Sequence, residues 1–507
     1  MRRGSLLWLL LLASCGGAGL GDRCDVSSDC GARLQCVSGL CRPLCERAPD
    51  CGDGYACNNG GVCVEATGDY GDLCKSEVEC KPGLACVLST PTDDSSPLEA
   101  ACGDDINGHP AGAACNVDTD CRDQTCAMGR CVDLCRDTRD CGVGMTCTNI
   151  PRVDHDGNGR MFAGCLQATG SLAWNIPVHG ALDTIRLAVP EAAQSVSVAM
   201  RVDDRTQLVG VTHVVAPDGS TLLDFADGPF GDPVRHRPAL GQSVLAMPST
   251  VIAGPGGALE VPFSPGMYTL TVQSLITLDV NSYGTATPVV TAVAKLDSSV
   301  ILDLHFYFLN LEEHPCAQAF DGGTLNSEIA LTGETFQGQF VEPLRSDIAS
   351  SGVALGTLTY EDLLDHPDLD GPALANVNDL LKLGAHSVGI NVFFVRSMSP
   401  AGGQAFGPNP GPAGLASTPD VGLQSGVIIS LDSLCYESWQ DLARLTTHEL
   451  ARYMGLYNNV ELDMRNFDPI ADSDASPTNL MYFSQAGGGG TLSRGQTLIL
   501  GRSPVLR

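Results

Sequence analysis

His448 and Glu449 stand next to one another in a segment, residues 437–455, whose apolar residues recur with helical period. An imidazole beside a carboxylate is the pairing from which a metal ligand and a general base are made. Residues four apart share a helix face, so the side chain that accompanies His448 is Arg452, a permanent cation. Arg452 also lies three residues after Glu449, the spacing of an intrahelical ion pair. Strands are expected before this helix over 302–309, 390–395 and 426–430. Phe336, Phe340, Leu344 and Ile348 mark an amphipathic helix that Pro343 should kink. Alternating strands and helices over residues 299–507 indicate an α/β or α+β domain, and α+β is the expectation carried forward.

The run Thr447-His448-Glu449-Leu450-Ala451-Arg452-Tyr453-Met454-Gly455-Leu456-Tyr457-Asn458 resembles the HExxHxxGxxH signature of metzincin zinc proteases, in the style of pappalysin-like members. Asn479-Leu480-Met481-Tyr482 resembles their Met-turn, with Met481 beneath the metal. The resemblance implies a metzincin-like domain over 299–507, zinc held by three imidazoles, a glutamate polarising the metal-bound water, and a glycine turning the chain toward the third ligand. Here His448 is the only retained ligand, Glu449 a vestigial general base, and Gly455 the turn. Arg452 and Asn458 replace the other two histidines. A guanidinium about 4 Å from a dication costs about 8 kcal/mol at an effective dielectric near 20. The expectation is a degenerate centre with no cofactor and a binding role. The alternative is an active zinc metalloendopeptidase with unconventional ligands.

At the N-terminus Arg2 and Arg3 precede an apolar run, 6–12, too short to span a bilayer. Leu12-Ala13-Ser14-Cys15 resembles the lipobox of bacterial lipoproteins. It implies a signal peptide over 1–14, lipidation of Cys15, a linker over 15–23, and export to the bacterial outer membrane or cell surface with a lipid anchor. Partners are then the membrane through that anchor and an extracellular protein, peptide or glycan. The net charge of −30 argues against nucleic acid.

Behind the lipobox, residues 24–165 carry cysteines in five groups of four. These are Cys24, Cys30, Cys36, Cys41; Cys45, Cys51, Cys57, Cys63; Cys74, Cys80, Cys86, Cys102; Cys115, Cys121, Cys126, Cys131; and Cys135, Cys141, Cys147, Cys165. An even number behind an export signal predicts five small disulfide modules whose bridges replace a core. Four cysteines permit three pairings, and spacing leaves them open. Gaps of about five residues without recurring histidines disfavour zinc. Asp154-His155-Asp156-Gly157-Asn158-Gly159 begins like a calcium loop, but Cys165 stands where glutamate should close it, so an acidic turn is preferred over a calcium site. Cys316 and Cys435 are left to pair with one another. Residues 170–295 alternate apolar and polar with Gly/Pro turns, as a β-sandwich does.

Overall fold

The computed structural model describes residues 18–507 apart from 90–98, 154–158, 226–238, 248–263, 373–376, 399–424, 484–488 and a scatter of stretches of one to three residues. The lipobox with Cys15, and Asp154 to Asn158, lie outside the described residues. No described helix is long and apolar enough to cross a membrane. The chain is multidomain and rich in strands, and it divides into two compact units. One holds the residues up to Cys126 with Cys131–Cys147 and Ala163–Leu166; the other holds Ala127–Arg130, Thr148–Phe162 and Gln167–Arg507.

In the first unit the open choice of pairing resolves the same way five times. First joins third and second joins fourth: Cys24–Cys36 and Cys30–Cys41, Cys45–Cys57 and Cys51–Cys63, Cys74–Cys86 and Cys80–Cys102, Cys115–Cys126 and Cys121–Cys131, Cys135–Cys147 and Cys141–Cys165. In each module three sulfurs, contributed by both bridges, lie within 4.8 Å of one another. Bridged sulfur offers no thiolate to a metal.

In four of the modules the acidic residue before the second cysteine has a local task. Asp29 Oδ2 accepts from the backbone N–H groups of Asp25 and Val26, and Asp120 Oδ2 from those of Asn116 and Val117. Glu79 and Asp140 accept in the same way from Lys75 and Arg136. These bonds close a short turn and hold the Asp29 and Asp120 carboxyls below their usual range.

The modules are of two kinds. Before the first, third and fourth, a loop runs back to bridge the second cysteine, Ala18 with Cys30, Gly68 with Cys80 and His109 with Cys121. The second and fifth follow directly, Cys45 N–H donating to Gly61 and Cys135 N–H to Ala163. Arg136 joins modules distant in sequence: its guanidinium reaches Asp140 Oδ1 at 2.6 Å, the Cys57 carbonyl at 2.8 Å and Glu79 Oε1 at 3.3 Å. Modules two, three and five therefore meet on one side chain.

The second unit begins with two antiparallel sheets. Ser171–Ile176, Val289–Lys295, Ser195–Arg201 and Gln242–Met247 form one; Leu182–Val189, Gly266–Leu275, Leu208–Val215 and Thr221–Asp224, with Ala239–Leu240, form the other. Val196, Val198, Met200 and Val202 are buried as their alternation predicts. Ser195, Ser197 and Ala199 on the other face are buried too, in a strand paired on both sides, and only Arg201 at its end is exposed.

Residues 301–507 carry a four-stranded sheet ordered Ala354–Asp362, Ile301–Phe308, Ile390–Val395, Val427–Ser430, and every pairing is parallel. The α+β layout expected from the sequence is corrected to α/β, because every pairing is parallel and a helical crossover joins the Ile301 and Ala354 strands. Parallel strands are covered on both faces, which is why 390–395 reads as an unbroken apolar run. Leu304, Phe306 and Phe308 face a core shared with Phe336, Phe340, Leu344, Ile348 and Trp439. The kink expected at Pro343 takes the form of a π-helical turn, Gln337–Val341, just before the Glu342–Ser350 helix that holds the proline in its first turn.

The fully buried ammonium of Lys295 ties the strand end to the last turn of chain. It donates to Ser299 O at 2.7 Å and Leu506 O at 2.9 Å, with Asp297 at 3.4 Å. Arg507 in turn pairs with Ile301 through both backbone groups and with the Asp303 carboxylate.

Candidate functional site

The helix predicted over 437–455 is Trp439–Tyr453. Ser438 caps it: its hydroxyl accepts from Asp441 N–H, while the Asp441 carboxylate accepts from Ser438 N–H. Trp439, Leu442, Ala443, Leu450 and Ala451 bury one face against the parallel sheet's core. That packing carries His448 and Glu449 inward, and both side chains are almost wholly shielded from water.

The His448 Nδ1–H donates to the Leu480 carbonyl at 2.8 Å. A carbonyl can only accept, so the bond fixes the tautomer and leaves Nε2 without a proton. Asn458 also hydrogen-bonds the ring through its side chain. Burial pulls the imidazole down to about 3; the Arg452 charge adds to that, and the Leu480 and Asn458 bonds work against it. His448 is therefore neutral at ordinary pH.

Arg452 Nη1 lies 3.4 Å from Glu449 Oε2 and 3.5 Å from Oε1, a long ion pair with a partly buried guanidinium and a buried carboxylate. The Arg452 Nε is buried and has no hydrogen-bond partner among the described residues. The helix ends at Gly455, whose φ of +120° suits a residue without a side chain.

Met481 is buried in the turn that follows the accepting carbonyl. Its N–H donates to Asn479 Oδ1 at 2.8 Å, and its carbonyl accepts from Asn459 N–H at 2.9 Å. Asn479 Nδ2 in turn donates to Gln496 Oε1 at 3.0 Å, anchoring the turn to the Arg494–Gly501 helix. The turn thus hangs from two buried amides, and it aims Leu480 O at the histidine.

His448, Glu449, Arg452, Asn458 and the turn holding Met481 come together, then, around one helix end. Among the described residues, the groups of three or more His, Cys, Asp or Glu with metal-binding proximity are the five sets of module cysteines, and His448 belongs to none. Cys316 and Cys435 are bridged with Cα atoms 5.2 Å apart, pinning the segment after the Ile301–Phe308 strand beside the start of this helix. Trp439 Nε1–H reinforces the same junction by donating to Ala319 O at 2.9 Å. Sequence reasoning did not foresee Leu480, Asn459, Asn479 or Gln496 as supports, nor Arg136 as a junction. Buried amides and a backbone carbonyl leave no spacing signal. No protein-family model and no curated protein matches the chain.

Proposed function

We propose that this is an exported bacterial lipoprotein, anchored through Cys15, whose C-terminal domain is metzincin-like with a degenerate centre and serves in binding an extracellular protein, peptide or glycan. The arrangement of Arg452 carries the reading. Its guanidinium lies on the face His448 occupies, depresses that imidazole further, and is paired with the would-be general base. Zinc needs three neutral or anionic donors around an open position. One imidazole, a carboxamide and a guanidinium do not supply them, so no catalytic step is drawn through a metal.

The experiment is reversion. Arg452→His and Asn458→His together should convert the folded protein from one that retains no stoichiometric zinc to one that retains about one ion per chain. Zinc at one per chain in the unaltered protein, with peptide cleavage lost on chelation, would establish the endopeptidase reading instead. Failure of the double variant to bind zinc while folded would remove the metzincin-like assignment.

A further inference from the structure

A second histidine site lies on the opposite face of the parallel sheet from His448. Along Ile301–Phe308 the residues Leu304, Phe306 and Phe308 face the helical core, so His305 and Tyr307 face away. There the His305 ring stacks on that of His386, centroids 3.6 Å apart and planes 8° from parallel. His305 is buried. Its Nε2–H donates to the Val388 carbonyl at 2.8 Å, and its Nδ1 meets Thr359 Oγ1 at 2.9 Å. The more exposed His386 holds Glu361 Oε1 at 2.6 Å through Nε2.

These contacts fasten His386 and Val388 to the sheet. Asn391 adds a bond to the His386 carbonyl at 3.2 Å. Gly389, with φ +78°, lets the chain pass against the Asp303 carbonyl, where a Cβ would clash. The charged or titratable groups around the stack are Asp303 and Tyr307 on the same strand and Glu361 on its neighbour. Asp303 is already committed to Arg507.

Protons on both rings would put two imidazolium faces 3.6 Å apart, with His305 buried. Burial already pulls His305 below its ordinary value, and His386 adds to that depression. We infer that the His305–His386 stack is a proton-operated clasp, which releases His386 and Val388 from the sheet on acidification.

Hydrogen exchange on the full folded chain tests it. Between pH 7 and about 4.5, after correction for intrinsic rates, protection of the His386, Val388 and Gly389 amides should fall by roughly tenfold, while Ile301–Phe308 stays protected. His386→Gln, which keeps a donor for Glu361 but takes no charge, should abolish the pH step. Unchanged protection in the parent, or an equal step in the variant, would overturn the clasp. Should the variant not fold, ring-proton titration of the parent decides: sequential titration with His305 last supports the clasp, and independent titration overturns it.

Discussion

Arg452 and Glu449, one helical turn apart, form an ion pair of 3.4 Å in which the carboxylate is far more deeply buried than the guanidinium. A buried carboxylate is tolerated only with a compensating cation, so the two substituents depend on each other. Removing Arg452 alone, as Arg452→Met, should cost about 3 kcal/mol of unfolding free energy, the penalty of stranding a buried charge. Adding Glu449→Gln should recover most of it. Urea denaturation of the two singles and the double gives the coupling, and strict additivity would show that the pair does not hold the helix end together.

His448 sets a pH dependence whose sign follows from its environment. The folded ring is pulled down to about 3, and an unfolded histidine titrates near 6.5. The unfolded chain therefore takes the proton first. The contribution is fully present above about 6.5 and is lost as pH falls toward 3, with a ceiling of about 5 kcal/mol. Carboxylates titrate in the lower part of this window, so the informative quantity is the difference from His448→Asn. The parent should lose more stability than the variant between pH 7 and about 4.5. Parallel curves would show that the buried ring does not govern acid sensitivity.

Arg136 makes a distinct prediction for the cysteine array. Arg136→Lys keeps a charge but cannot reach Asp140, Glu79 and the Cys57 carbonyl at once, because an ammonium lacks the planar fork. All ten module bridges should still form. Amide exchange around Cys57 and Glu79 should nevertheless rise, and stability should fall by about 2 kcal/mol. Lysine performing equally well would reduce Arg136 to a surface charge.

The bridges can be mapped directly. Non-reducing digestion should release peptides joining Cys115 to Cys126 and Cys121 to Cys131, and never Cys115 to Cys121. Cys316→Ser with Cys435→Ser opens a loop of 119 residues. The chain-entropy relation assigns that closure close to 5 kcal/mol, as an upper value. Thermal melting should fall by several degrees, with the module bridges intact. No change in melting would mean that Trp439 and its neighbours hold the junction unaided.

Much of the local architecture could be read before any coordinates. The period-four apolar positions Phe336, Phe340, Leu344 and Ile348 are all buried on one side, and the capped helix starts two residues from its expected place. Strands with strong alternation or unbroken apolar runs were legible within a residue or two. Ser195–Arg201 showed its alternation, yet the burial of its small residues depends on strands on either side, which a single segment does not reveal.

By itself the sequence determined the module count, the helix that presents His448, and the cation at position 452, because all three rest on spacing along the chain. Tertiary structure decided which cysteine meets which: hairpins set third opposite fourth, as Cys36 is to Cys41, and the bridges join these to the first and second. It decided the parallel order of the C-terminal sheet and the stacking of His305 on His386. It also placed the Leu480 carbonyl, 32 residues on, against the His448 ring. The reason is common to all of these. Periodicity records which face of an element is apolar, whereas a hydrogen bond or bridge between distant elements depends on packing that no short stretch of residues encodes.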